Sequence, residues 1–269
     1  MIKLDIFCCT HEYQKKLDQL ENIIPAGTGQ NIYPNSWLTD KKNNNISKLN
    51  KSYAELTFHY WIWKNYLDNY SKKDFFGFCQ YRRFWLKNNH EKIITFENLD
   101  NNLLKIDNFD FKHNEVFLTK PEKIILKKKS IFKNRTLLEN LFDPKPIFST
   151  SAHTVGLQFE ISTKTKKIIY NVSKYLKKSD QDDYLNYLDY NGEVNFHNMF
   201  ITNKVIFNEY MKYLFNWLDQ CSEEVKKINI KKSNAVRIYA FLAERFLHFW
   251  FNKYHTKTEL PWIFLDTSK

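Results

Sequence analysis

Two apolar runs with a helical stretch between them limit most tightly what this chain can become. Residues Ile2–Thr10 are rich in Ile, Leu, Phe and Cys and read as a buried first strand. Asp74–Phe84 opens with a second such run, Phe75-Phe76-Gly77-Phe78-Cys79. Between them Tyr53, Leu56, Thr57, Tyr60, Trp63, Lys64 and Leu67 recur at helical spacing, with Ser52 three residues before Glu55 as a capping box. Strand, loop, helix, strand is the order of a βαβ-like beginning, which brings its two strands into one sheet. The loop-rich stretch His11–Asn50 holds Pro25, Gly27, Gly29 and Pro34, with one short helix expected near Tyr13–Ile23.

The rest of the chain continues the pattern. A short strand is expected at Glu115–Thr119, and Lys120–Thr150 is basic without a clear period. Helical patterns follow at Ile168–Leu176 and Tyr184–Leu188, and Val194–Thr202 reads as a strand interrupted by polar residues. Ile206–Lys226 is an amphipathic helix, and Ala235–Tyr254 is apolar nearly all round, so largely buried. Only 5 glycines and 6 prolines against 17% aromatic residues favour long regular elements over a loop-rich scaffold. The expectation is one domain over 1–269, with residues 1–120 and 190–269 supplying its two halves.

A net charge of +11 favours anionic partners, whether phosphorylated small molecules, acidic lipid or nucleic acid. The runs Lys127-Lys128-Lys129, Lys177-Lys178 and Lys231-Lys232 read first as solvated faces and second as attraction to an acidic membrane surface. Nucleic-acid binding is disfavoured, because the aromatics fall on apolar helix faces and no binding motif appears. Cys8, Cys9, Cys79 and Cys221 show no metal-finger spacing and read as reduced and buried, which points to the cytosol. The first residues lack a signal-peptide pattern, and no run of about 18 apolar residues suggests a membrane span. Dinucleotide-binding and P-loop glycine patterns are absent, as are HExxH and GxSxG.

Chemistry concentrates in a few segments. Gln80-Tyr81-Arg82-Arg83-Phe84 places two arginines at the end of an apolar strand, where open α/β sheets bind ligands. A guanidinium fork matches phosphate oxygens, so Arg82 and Arg83 suit a diphosphate, against surface ion pairs as the plainer reading. In Glu193-Val194-Asn195-Phe196-His197-Asn198-Met199-Phe200-Ile201, strand alternation puts Asn195 and His197 on one face and Asn198 on the other. Such a pair suits sugar hydroxyls, and His197 or Glu193 could accept a proton from one, although a satisfied buried histidine is the simpler reading. Arg237, Phe241, Glu244 and His248 share a stripe of the last helix, where Glu244 and Arg245 read first as structural ion pairs. Asp180-Gln181-Asp182-Asp183 is a weak divalent-metal candidate in an expected polar loop.

These segments together resemble a family of bacterial exopolysaccharide, capsule and O-antigen proteins, once set down as a domain of unknown function and now regarded as glycosyltransferases. The resemblance runs through Asn45-Ile46-Ser47 and Asn50, then Tyr53-Ala54-Glu55-Leu56-Thr57 with Trp61 and Trp63, and Gln80-Tyr81-Arg82-Arg83-Phe84. It returns at Asn198-Met199-Phe200-Ile201 and Glu244-Arg245-Phe246, and is weak between about Lys120 and Tyr190. Gln80 stands where the family motif has His, and Phe246 where it has Leu. The resemblance implies an α/β fold that is GT-A-like (Rossmann-like), a mixed sheet flanked by helices with long C-terminal helices. It implies transfer of galactofuranose or another hexose from a nucleotide-diphosphate sugar to a capsular, lipopolysaccharide or lipid-linked glycan, by a cytoplasmic chain at the inner membrane face. Tyr81, Arg82 and Arg83 would hold the donor diphosphate, wholly or partly replacing a Mg or Mn ion, with Glu193 and His197 catalytic. Asn45, Ser47, Asn50, Asn195, Asn198, Glu244 and Arg245 would bind substrate. A non-catalytic polysaccharide-assembly partner is the alternative that the Gln80 departure leaves open.

Overall fold

The computed structural model describes residues 2–88, 93–108, 116–228 and 235–266. The predicted Lys231-Lys232 run and Glu115, the first residue of a predicted strand, lie outside the described residues. The chain opens with β1 (Leu4–Thr10), a 3₁₀ turn at Lys15–Gln19, β2 (Ile24–Gly27) and β3 (Leu38–Thr39). Helices α1 (Asn50–Tyr53) and α2 (Leu56–Trp61) lead to β4 (Phe75–Gln80) and β5 (Arg83–Trp85), then β6 (Val116–Thr119) and β7 (Glu122–Lys123). Next come α3 (Lys128–Asn134), α4 (Leu137–Phe142), α5 (Lys145–Phe148), α6 (Val155–Thr163), α7 (Ile168–Asn171) and α8 (Lys178–Tyr190). The remaining elements are β8 (Glu193–Val194), β9 (Phe200–Asn203), α9 (Lys204–Val225), α10 (Ile238–Tyr254), β10 (Lys257–Leu260) and β11 (Trp262–Phe264). Two compact units divide them: Met1–Lys120, His197–Lys212 and Trp250–Lys269 in the first, Pro121–Phe196 and Tyr213–Phe249 in the second.

The first unit is built on a nine-stranded mixed sheet of order β10-β6-β9-β4-β1-β2-β3, with β5 joined to β4 and β11 to β5. β1 runs parallel to β2 on one side and to β4 on the other, and β2 parallel to β3. β9 is antiparallel to both β4 and β6. The predicted βαβ beginning is therefore present, with β1 and β4 as its strands. Alternation sorts the apolar run of β4 onto two faces. Phe76 and Phe78 pack against Phe7, Phe200 and Phe207 at centroid distances of 5.0–5.8 Å. Phe75 and Cys79 join the opposite core with Ile6, Cys8, Trp37, Trp85, Phe117 and Ile201. Part of the high aromatic content thus fills the two packed faces of one sheet. His59 of α2 lies under the first face, 3.9 Å from the Phe78 ring centroid, and burial drives its imidazole down to about 3. Cys8, Cys9 and Cys79 are free and buried in this sheet, and Cys221 is free and buried on α9 in the second unit.

Helices make up most of the second unit, with the β7–β8 ribbon pairing Glu122 to Val194 and Lys123 to Glu193. Tyr184 of α8 packs on Trp217 and Phe249, and Trp217 stacks on Phe246 at 5.0 Å. The indole N–H of Trp217 donates to the Val172 carbonyl at 2.9 Å. A smaller core of Ile131, Ile147 and Ile161 sits beside Leu126 and Leu157. His153 ties that segment down, with Nδ1 accepting from Leu126 N–H at 3.1 Å and Nε2 2.8 Å from the Pro146 carbonyl.

Several local expectations need correction. The helix read through Tyr53–Leu67 is broken after α1, because Ala54 takes φ 48° and ψ −132°. The Ser52/Glu55 capping box therefore does not form; Ser52 Oγ turns back toward the Leu49 carbonyl and Glu55 bonds to Asn198. α2 then widens into a π-turn over Ile62–Tyr66. The unplaced stretch Lys120–Thr150 holds β7, α3, α4 and α5, with α4 started by a capping box between Thr136 and Glu139. The acidic cluster Asp180–Asp183 lies in α8 rather than in a loop. Asp180 is buried and accepts from Tyr213 Oη at 2.5 Å.

Gly77 decides how closely β4 and β9 approach. A Cβ there would lie 2.7 Å from the Phe200 carbonyl oxygen and would overlap the Ile201 side chain. Gly77→Ala should therefore lower folding stability by about 2–3 kcal/mol, as overpacking against backbone does. The midpoint of urea unfolding measures it, and an unchanged midpoint would show that the two strands can part freely.

Candidate active site

Because β1 is flanked by β2 and β4, which leave it on opposite sides, the chain turns two ways at the carboxyl ends of β1 and β4. Such a switch point opens a crevice in doubly wound sheets. Thr10 and His11 leave β1 there, Gly27-Thr28-Gly29 leave β2, Asp40 follows β3, and Gln80-Tyr81-Arg82 leave β4. The antiparallel β9 brings its leading residues, His197 and Asn198, to the same edge. The His11 and Tyr81 rings meet edge to face at 5.5 Å. Thr28 N–H and Tyr33 Oη both donate to the Thr10 carbonyl, at 2.8 and 3.1 Å.

β4 does not run through to Phe84 but turns tightly at Tyr81-Arg82, so that Gln80 and Arg83 pair across the turn. The main chain of Arg82 is fixed by Leu265 N–H, which donates to its carbonyl at 2.8 Å. Its guanidinium sits over the rings of Tyr81, at 4.8 Å, and Phe264, at 5.8 Å. Among the described residues it forms no ion pair or hydrogen bond, and its Nε is buried without a partner. An unopposed, half-buried cation held on aromatic faces is ready to receive an anion. Arg83 lies 5.3 Å from the Phe264 ring, and its Nη1 donates to Gln80 Oε1 at 2.9 Å. The Gln80 Nε2 donates in turn to the His197 carbonyl at 2.7 Å. Gln80 thus carries one arginine on one side and the His197 backbone on the other.

His197 and Asn198 have φ of 80° and 51°. The extended backbone assumed for Val194–Thr202 therefore ends before His197, and strand alternation does not place Asn195 and His197 on one face. The turn aims the Asn198 Nδ2 at Glu55 Oε1, 2.7 Å away, and sets the His197 ring 5.5 Å from Trp262. Sequence reasoning missed Glu55 as a rim carboxylate. Its place in Tyr53-Ala54-Glu55 reads as a helix cap, and only the left-handed Ala54 frees it for Asn198.

Asn45, Ser47 and Asn50 shape the neighbouring loop. Asn45 Oδ1 accepts from both the backbone and the hydroxyl of Ser47, and Gln30 Nε2 donates to Ser47 Oγ at 2.8 Å. Asn50 Nδ2 donates to the Ala54 carbonyl and to Thr57 Oγ1. Gly29, at φ 75°, lies against the Asn50 side chain and donates its N–H to Asp40 at 3.0 Å. Asp40 is fully buried, and burial pushes its carboxyl up to about 6 despite bonds from Thr57 and Gly29.

Four predicted site residues fall in the second unit. Asn195 is buried with its amide oxygen 2.7 Å from His248 Nδ1, in a network that includes Asn191. Glu193 stands on β8 opposite Lys123. Arg245 is 1% exposed. It donates to Glu244 at 2.7 Å, to the Phe241 carbonyl at 3.1 Å and to Gln158, within cation–π distance of Phe159 and Phe196. Its charge is spent inside the unit. A cavity of about 810 Å³ in this unit is lined by Lys133, Arg135, Glu139, Asp143, Lys166 and others. Two of its cations are matched, Lys166 to Glu139 at 2.6 Å and Arg135 to Asp143 at 3.1 Å.

Among the described residues no three His, Cys, Asp or Glu side chains converge, and the oxygens of Asp40 face the Gly29 N–H.

The raised Asp40 pKa has a pH consequence. The folded state holds its proton more tightly than the unfolded chain, so this residue lowers stability as pH rises from about 4 to about 6, by up to about 3 kcal/mol. Asp40→Asn keeps an acceptor for Gly29 and carries no charge. Its stability relative to the parent should rise across that window, read from urea midpoints at pH 4 and pH 7; an equal difference at both would show that Asp40 titrates normally.

The fold is shared with a solved structure, the apo form of the WbbM bifunctional glycosyltransferase, at TM-score 0.70 and 18% identity. The match covers 98% of this chain and 45% of that one, so the chain spans less than half the length of that protein. No curated protein matches it. A family model, Domain of unknown function (DUF4422), matches residues 5–256. Across that length, from β1 to the end of α10, the chain belongs to the DUF4422 family.

Proposed function

We propose that this chain is a glycosyltransferase that moves a sugar, galactofuranose or another hexose, from a nucleoside-diphosphate sugar to a glycan acceptor. The observation that carries the reading is the Arg82 guanidinium, poised on Tyr81 and Phe264 at the switch-point rim without a carboxylate partner among the described residues. The shared fold with a bifunctional glycosyltransferase supports it. The acceptor is a capsular or lipopolysaccharide glycan, or a lipid-linked precursor at the inner face of the membrane, to which the basic chain attaches peripherally. No helix of the described residues is long and apolar enough to cross that membrane.

In this mechanism an acceptor hydroxyl attacks the anomeric carbon, the bond from that carbon to the diphosphate oxygen breaks, and the departing diphosphate takes the electron pair. Charge grows on the leaving oxygens as the bond lengthens, and Arg82, with Arg83 and Tyr81 beside it, meets that charge without having to move. Gln80 positions Arg83 relative to the His197 main chain. The hydroxyl proton passes to a base at the rim: His197 is one, and Glu55, oriented by Asn198, is a second that the geometry adds. Asn45, Ser47 and Asn50 hold the loop shape that receives the donor, and Asn198 supports the acceptor side. Arginine charge stands in for a divalent ion, and transfer that a chelator abolishes would instead assign that work to Mg or Mn.

Arg82→Ala should lower kcat with a panel of nucleotide sugars by about 10²–10³ with an unchanged melting temperature, the scale of losing one transition-state donor. Arg82→Lys should recover part of it, because a point charge replaces the fork. Normal transfer by Arg82→Ala would overturn the reading.

A further inference from the structure

Helix α4 is amphipathic in the wrong sense for a core element. Leu137, Leu138, Leu141 and Phe142 share one side at positions i, i+1, i+4 and i+5, and they are 77, 63, 67 and 87% exposed. The opposite side holds Asn140, which is buried, and Glu139, which bonds to Lys166. Phe132 of α3 and Phe148 of α5 are exposed as well, at 55 and 80%. Isolated exposed apolar residues need no explanation, but six within seventeen positions, four on one turn-and-a-half of helix, form a patch that must be covered by something.

Charge identifies the cover. Residues 121–148 carry seven basic side chains against three acidic ones. Two of those acids are already neutralised, Asp143 by Arg135 and Glu139 by Lys166. Lys127, Lys128, Lys129, Lys133 and Lys145 are exposed and form no ion pair among the described residues. A second copy of the chain meeting this face by two-fold symmetry would set lysine against lysine. An anionic bilayer offers what both sets of groups want: phosphate for the ammonium groups and an acyl boundary for the leucines and phenylalanines.

We propose that α3–α5 form a membrane-docking face, with α4 lying in the headgroup layer of an anionic bilayer and its apolar side inserted. Three features hold the face in shape: the Thr136 capping box, the core of Ile131, Ile147 and Ile161, and the His153 bridge from Leu126 to Pro146. The inference deepens the peripheral attachment proposed above and rests on it, and it is independent of sugar transfer.

The test is flotation of the whole chain with vesicles of phosphatidylglycerol and phosphatidylethanolamine, against vesicles of phosphatidylcholine alone. The parent chain should float with the anionic vesicles and remain behind with the neutral ones. Leu138→Gln with Phe142→Gln should weaken binding at least tenfold, as should Lys128→Gln with Lys129→Gln and Lys133→Gln, the melting temperature staying within a degree or two of the parent. Both sites are already exposed, so the fold does not depend on them. Failure of the parent chain to float would overturn the docking face together with peripheral attachment. Flotation that neither variant disturbs would overturn the docking face alone. A parent dimer that Leu138→Gln with Phe142→Gln dissolves would overturn it in favour of self-association.

Discussion

The parallel pairing of β1 with β4 is the constraint on which the rest of the first unit depends. It aligns Cys9 with Gln80, so the residues that follow each strand emerge side by side. It also leaves β2 to depart from the far side of β1, and that divergence opens the rim. The pairing holds because both strands are apolar on both faces, each covered by aromatic side chains, and because Gly77 lets β9 close against β4.

What was legible in the sequence follows from range. Apolar runs and helical periods are local, so β1, β4, α9 and α10 could be read directly, and with them a mixed α/β fold flanked by helices. The arginine pair was legible as chemistry at a strand end for the same reason. Features set by contacts distant in sequence were not. Glu55 meets Asn198 across 143 positions, and Gln80 meets His197 across 117. The left-handed turns at Ala54 and at His197-Asn198 carry no glycine to announce them. They are held in that conformation by surrounding structure, and sparsely populated backbone often gathers at sites.

The α3–α5 segment failed to read as helix for a different reason. Periodicity identifies an element by the face it buries, and α4 buries its polar side. Its leucines follow a helical spacing over only six residues, too few to stand out against a basic background. A segment whose pattern is inverted is easily passed over in a sequence that otherwise folds by the usual rule.

The four cysteines give the molecule an internal gauge of its own opening. Burial holds the thiols of Cys8, Cys9 and Cys221 well above their ordinary ionisation range, so a thiol reagent such as iodoacetamide meets no thiolate until the surrounding structure parts. Cys8, Cys9 and Cys79 sit in the sheet of the first unit, and Cys221 sits on α9 in the second. The order in which they become alkylated therefore records which unit opens first, without any label being introduced.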